Sequence, residues 1–239
     1  ADALNSYQGS LALSWGRPSS GGSSGGSSGS TPEDPTPPPP PPPPPTDPLP
    51  SNLISLQDLS VSASTADKPQ SKIWTYADQW WTVMPNDTGT WISRLDGTNW
   101  TPTLQLSTST GVSADVKVSD DLAHILLLDG TASQLASVEY VSTFNSYDFW
   151  TAGPGVANLG LPGGIETATI DIDSQGRMWI AYDQSSSVEV RYSDGDYTNW
   201  SAPITVASGI SSDDISVITA LPNNTIGVLW SDQSSDRFG

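Results

Sequence analysis

The stretch Asp194-Gly195-Asp196-Tyr197-Thr198-Asn199-Trp200-Ser201-Ala202-Pro203 decides the fold, because its pattern occurs three times at a spacing of 50 residues. Asp96-Gly97 precedes Asn99-Trp100-Thr101-Pro102, and Tyr147-Asp148 precedes Phe149-Trp150-Thr151, with Pro154 just beyond. Trp100, Trp150 and Trp200 are therefore evenly spaced. A fixed period of this size marks a repeat architecture.

A second signature lies between these motifs. Gln79-Trp80-Trp81-Thr82-Val83, Ile125-Leu126-Leu127-Leu128, Met178-Trp179-Ile180-Ala181-Tyr182 and Gly227-Val228-Leu229-Trp230 are short apolar runs, each preceded by a turn signal. Runs of this length bounded by turns fit strands buried on both faces. An alternating strand follows, as in Val188-Glu189-Val190-Arg191-Tyr192, and the Trp motif opens a fourth. Four strands per repeat of about 50 residues predict an all-β chain of four-stranded β-propeller blades. The expected blades cover about 69–110, 113–160 and 165–209, with a partial one from 213 to 239, about three and a half in all. Residues 51–65 are expected to add a strand ahead of the first blade. The three Trp side chains are large enough to fill the wedge between blades. Three and a half blades do not close a ring, so the expectation is a longer polypeptide, with a second copy as the other source of the missing strands.

The repeat resembles the sialidase-like propellers built from BNR repeats. Ser193-Asp194-Gly195-Asp196-Tyr197-Thr198-Asn199-Trp200 is similar to their Asp-box, with Gly directly after Asp, and Leu95-Asp96-Gly97-Thr98-Asn99-Trp100 is a shorter form. The resemblance implies a propeller over about residues 69–239. In sialidases of the family it also implies three arginines clamping a carboxylate. Arg94, Arg177, Arg191 and Arg237 are the arginines of that region. Arg94 and Arg191 occupy matching third-strand places, which points to structure rather than to one central site. No catalytic residue is assigned, and the reading leans away from an enzyme.

Residues 18–50 read as a linker between an N-terminal strand and the propeller. Residues 19–30 are only Ser and Gly, a flexible coil, and Pro37–Pro45 is an unbroken proline run. Such a run forms a polyproline II rod, roughly 28 Å long at about 3.1 Å per residue. Ahead of the linker, Leu11, Leu13 and Trp15 alternate with small polar residues, the pattern of a half-buried strand. Leu13-Ser14-Trp15-Gly16-Arg17-Pro18 resembles a strand of fibronectin-III-like domains. An isolated strand is unstable in water, so it is expected to dock on another sheet, with strand addition to a second molecule favoured.

Composition narrows the partners. The chain has 239 residues, no cysteine, 26 acidic and 8 basic residues, and a net charge of −18. That charge repels nucleic acid and anionic lipid, and no apolar run approaches the roughly 20 residues that span a membrane. The Ala-Asp-Ala start fits signal-peptide removal and a secreted or cell-surface location. Asp120-Asp121, Asp194/Asp196 and Asp213-Asp214 are the best groups for Ca²⁺, although a solvated acidic turn is the default and no cofactor is assigned. His124, the only histidine, is expected to be structural or exposed. Asn86, Asn99, Asn199 and Asn223 open glycosylation sequons. Two functions follow: an extracellular structural protein that assembles through its N-terminal strand, and a glycan-binding or glycoside-hydrolysing propeller.

Overall fold

The hairpins are set by their turns. Ala77-Asp78 and Asn223-Asn224 each place two successive residues at positive φ; the first pair is a two-residue type I′ connection, and the second belongs to a three-residue turn that begins at Pro222. The first closes β1 (Ile73–Tyr76) onto β2 (Gln79–Asn86); the second closes β14 (Ser216–Leu221) onto β15 (Thr225–Asp232). The computed structural model describes residues 54–63, 70–212 and 214–239. The assembly strand with Leu11, Leu13 and Trp15, the linker 18–50 and Asp213 lie outside these residues.

The described residues are all β, in four antiparallel sheets with no helix and no detected barrel closure. Sheet 1 joins β1 and β2 to β3 (Gly89–Asp96) and β4 (Asn99–Ser107) in chain order. Sheet 2 runs β5 (Ser113–Ser119), β6 (Leu122–Leu128), β7 (Gln134–Val141) and β8 (Ser146–Phe149), with β9 (Val156–Asn158) also on β7. Sheet 3 runs β10 (Ala168–Ile172), β11 (Met178–Gln184), β12 (Ser187–Ser193) and β13 (Ile204–Ser208). Sheet 4 holds β14, β15 and β16 (Arg237–Phe238). All belong to one unit, Pro50–Gly239.

Residues 54–63 form no strand, contrary to the expectation for 51–65. Their amides reach isolated carbonyls rather than a free edge: Gln57 donates to Thr98 O (2.9 Å) and Ser62 to Pro85 O (3.2 Å). The proline of the Trp motif explains another irregularity, since proline has no N–H to offer a ladder. Pairing of β3 with β4 slips beside Pro102, and β13 begins only after Pro203. In sheet 2 the fourth strand is split around Pro154 into β8 and β9.

Alternate side chains carry the packing. Trp81 and Val83 of sheet 1 face Ala123, Ile125 and Leu127 of sheet 2 in one core. Leu126 and Leu128 point the other way, to Met178, Ile180 and Tyr182 of sheet 3. Ala181 and Trp179 then meet Ile218, Ile226 and Val228 of sheet 4. Each middle sheet is thus apolar on both faces. The first core is the most aromatic: Trp81 is fully buried and stands edge-on to Tyr147 (4.9 Å) and Tyr140 (6.1 Å), while Trp74 Nε1 donates to Tyr147 Oη (3.0 Å). Replacing a buried aromatic by alanine costs about 3–5 kcal/mol, so Trp81→Ala should lower the urea midpoint by that equivalent; an unchanged midpoint would show that the ring does not carry the sheet 1–sheet 2 contact.

Candidate functional site

The first strands of the sheets lie side by side, and their polar side chains hold one another's backbones. Asp115 on β5 accepts the Ser71 amide on Oδ1 (2.6 Å) and the Ile170 amide on Oδ2 (2.8 Å). Thr169 Oγ1 on β10 accepts the Ile218 amide (3.0 Å), and Asp171 Oδ2 accepts that of Ala220 (2.7 Å). Lys117 pairs with Asp171 at 2.5 Å. Gln70 Nε2 donates to Ala168 O (2.9 Å), from the chain entering sheet 1 to sheet 3. Beside these bonds lies a cleft of about 250 Å³ lined from sheets 2, 3 and 4 and from the segment that enters sheet 1, by Ser71, Asp115, Lys117, Thr169, Asp171 and Val217 among others.

Burial pushes the Asp115 carboxyl up to about 6, against the lowering effect of the Ile170 and Ser71 amides and of Lys72. Burial acts in the same direction on Asp171, but the Lys117 bond and the Ala220 and Ile172 amides outweigh it and hold the carboxyl below its usual range. The cleft therefore holds one carboxylate tied to a lysine and one that protonates near neutrality.

A second groove of about 470 Å³ lies on sheet 3, bordered by Leu161, Tyr182, Glu189, Arg191, Trp200 and Pro203 among others. Tyr182 Oη donates to Glu189 Oε2 (3.0 Å). Arg191 donates to the carbonyls of Ser201 (2.8 Å) and Leu159 (2.9 Å), and Trp200 Nε1 to Tyr197 O (3.1 Å).

The evenly spaced Trp rings occupy three different environments, each half-buried. Trp200 packs on the core between sheets 2 and 3. Trp150 stands edge-on to His124 (6.3 Å), beneath a turn in which a side chain at Gly153 would overlap its ring. Trp100 lies opposite Leu95, on the face of sheet 1 turned away from sheet 2. His124 is buried, with Nδ1 2.9 Å from Ser137 Oγ and Tyr197 edge-on at 5.1 Å; burial lowers its pKa to about 4, so it is neutral at pH 7.

The arginines are dispersed. Arg94 pairs with Asp96 (2.7 Å) and donates to Asn145 O; Arg177 lies near Asp173 and Asp194 and bonds Gln175; Arg237 is exposed on β16. Among the calcium candidates, Asp120 occupies a hairpin turn at positive φ. Asp214 is fully engaged by the Ser211 and Gln233 amides and the Ser231 hydroxyl. No group of three or more metal-binding side chains occurs among the described residues. Of the sequons, Asn99, Asn199 and Asn223 are exposed, while Asn86 Oδ1 accepts from the Thr88 amide and hydroxyl. No helix of the described residues is long and apolar enough to cross a membrane.

No family model and no curated protein matches the chain. Among solved structures, it is similar to an exo-β-1,3-galactanase from Clostridium thermocellum, with a TM-score of 0.36 and 12% identity over 70% of this chain and 46% of that one. The chain thus spans less than half of that structure, and a likeness of this size assigns it neither fold nor activity.

The Asp115 carboxyl titrates at about 6 when folded and at about 3.9 when unfolded. The folded state binds more protons between these values, so this group's contribution to stability falls as pH rises through that window. Asp115→Ala leaves two amides without their acceptor, at about 1–3 kcal/mol each. The expected deficit, read by thermal unfolding, is larger near pH 4 than at pH 7; a deficit that grows with pH would contradict the assignment.

Proposed function

We propose that sheets 1–4 are blades of a β-propeller that serves as an extracellular structural and interaction module. The bond from Gln70 to Ala168 carries the propeller reading, because it runs from the segment that enters sheet 1, whose next residue Ser71 bonds Asp115 of sheet 2, to the first strand of sheet 3. In a flat stack two sheet spacings separate such groups by about 20 Å. Contact at that range supports first strands converging on an axis, and the cleft lined by sheets 2, 3 and 4 and by the segment entering sheet 1 fits the mouth of that axis.

The use of the polar side chains supports the non-enzymatic role. Asp115, Thr169 and Asp171 join neighbouring sheets, while Arg94 and Arg191 hold backbone carbonyls. On this reading the Gly/Ser and polyproline linker displays the propeller, and the strand with Leu11, Leu13 and Trp15 adds to a sheet of the next molecule, building a surface filament or adhesive layer. Removal of residues 1–17 is expected to abolish sedimentable polymers while leaving the β-sheet circular dichroism unchanged. Polymers that persist at the same yield would refute strand addition.

The groove beside Trp200 favours glycan binding as the second reading. An indole flanked by Glu189 and Arg191 offers both a stacking face and hydrogen-bonding groups to a sugar ring. Binding on a glycan array that is lost in Trp200→Ala, with the fold intact, would support this reading over the first.

A further inference from the structure

Strand addition needs an open sheet edge, and the sheets differ in what their edges offer. The inner edges are engaged: Asp115 holds the Ile170 amide, Thr169 the Ile218 amide and Asp171 the Ala220 amide. The outer edges of sheets 1–3 remain. β4 carries Pro102, which has no N–H to offer, and its pairing slips twice. The outer strand of sheet 2 is split into β8 and β9, and β8 carries the exposed Asp148. Breaks, prolines and charges of this kind keep an edge from pairing with another chain.

β13 is the least guarded of these edges. It runs for five residues with no proline and a single register shift. Ile204 and Val206 are 46% and 39% exposed, and Thr205 between them is exposed as well. Among the described residues, its backbone makes no bond other than those to β12. No charged residue occurs from Tyr197 to Ser212. Sheet 3 packs on sheet 2 and on sheet 4, so this edge is open with both neighbouring sheets in place. The groove of about 470 Å³ opens at the start of β13, where Ala202 and Pro203 line it together with Leu161, Pro162 and Trp200.

We propose that β13 is the edge that receives residues 9–16 of a second copy of this chain. The proposal rests on the strand-addition reading and names its acceptor. The donor matches the edge. It carries no charge from Ala3 to Gly16, and the alternating stretch from Leu11 to Trp15 has the five residues of β13. Charge sets the direction. Arg17 follows Trp15 by two positions. Antiparallel addition brings Trp15 to Ile204, beside the groove, and carries Arg17 towards the exposed Asp194 and Asp196, whose turn is closed by the bridge between Ser193 and Trp200. Parallel addition would carry Arg17 past Ser208, away from those carboxylates.

The chain has no cysteine, so introduced cysteines report the contact directly. A full-length Ala12→Cys chain mixed with an Ala207→Cys chain is expected to form a disulfide-linked pair on mild oxidation, whereas Ala12→Cys mixed with Gln105→Cys on β4 is not. Val206→Lys is expected to raise the concentration needed for sedimentable polymers by about tenfold or more, with circular dichroism and thermal midpoint unchanged. Ile204→Lys provides a second probe of the edge should Val206→Lys misfold. Polymers that are lost in Leu13→Lys but unchanged in both lysine variants of β13, or a cross-link to Gln105→Cys in place of Ala207→Cys, overturn β13 as the acceptor and leave strand addition standing. Polymers that persist in Leu13→Lys, or a wild type that forms none, refute strand addition itself.

Discussion

Asp115 takes the amide of Ile170 on one carboxylate oxygen and that of Ser71 on the other. Those two bonds tie sheet 2 to sheet 3 and to the segment that enters sheet 1, and Thr169 and Asp171 extend the same arrangement to sheet 4. The apolar packing depends on this spacing. Hydrophobic faces are non-directional and would tolerate sliding, whereas a carboxylate shared between two backbones does not. A buried carboxylate costs free energy unless its oxygens are satisfied, so the groups that set the geometry are also those that disfavour any other arrangement.

Side-chain volume then fills what the bonds have spaced. Trp81, Tyr140 and Tyr147 make the first contact broad and aromatic, the second is built from leucine, isoleucine and Tyr182, and the third is small. With both faces of the middle sheets buried, the side chains left for chemistry are those at strand ends and in turns. Trp200 is such a residue, and Glu189 and Arg191 join it from within β12, where the fourth strand of sheet 3 starts only after Pro203.

Much of this was legible in the sequence. The run from Met178 to Tyr182 is short, unbroken and bounded by turns, and a strand buried on both faces is what such a run forms. The Trp motif opens the fourth strand in sheet 1, whereas β8 ends just before Trp150 and β13 starts only after Trp200, and identical spacing did not give identical surroundings. Trp100 pairs with Leu95 and faces away from sheet 2, whereas Trp150 lies just beyond β8 and stands against His124. Residues 54–63 show the converse: an apolar pattern makes a strand only where an edge has free groups to pair with. The cleft between the first strands was not legible. Asp115 sits in an ordinary-looking Ser-Ala-Asp-Val stretch, and its partner Ile170 is 55 positions away.

The turns cast the acidity of the chain in a different light. Asp78, Asp120 and Asp236 hold left-handed backbone conformations, and Asp173, Asp196 and Asp232 fold back onto amides or hydroxyls within a few residues. Asparagine makes the same loop shapes, as Asn145, Asn223 and Asn224 do here. Part of the negative charge is therefore a consequence of building tight reversals from aspartate, and at Asp78, Asp120 and Asp236 it is adjustable: a lineage could exchange aspartate for asparagine at these corners without altering the path of the backbone.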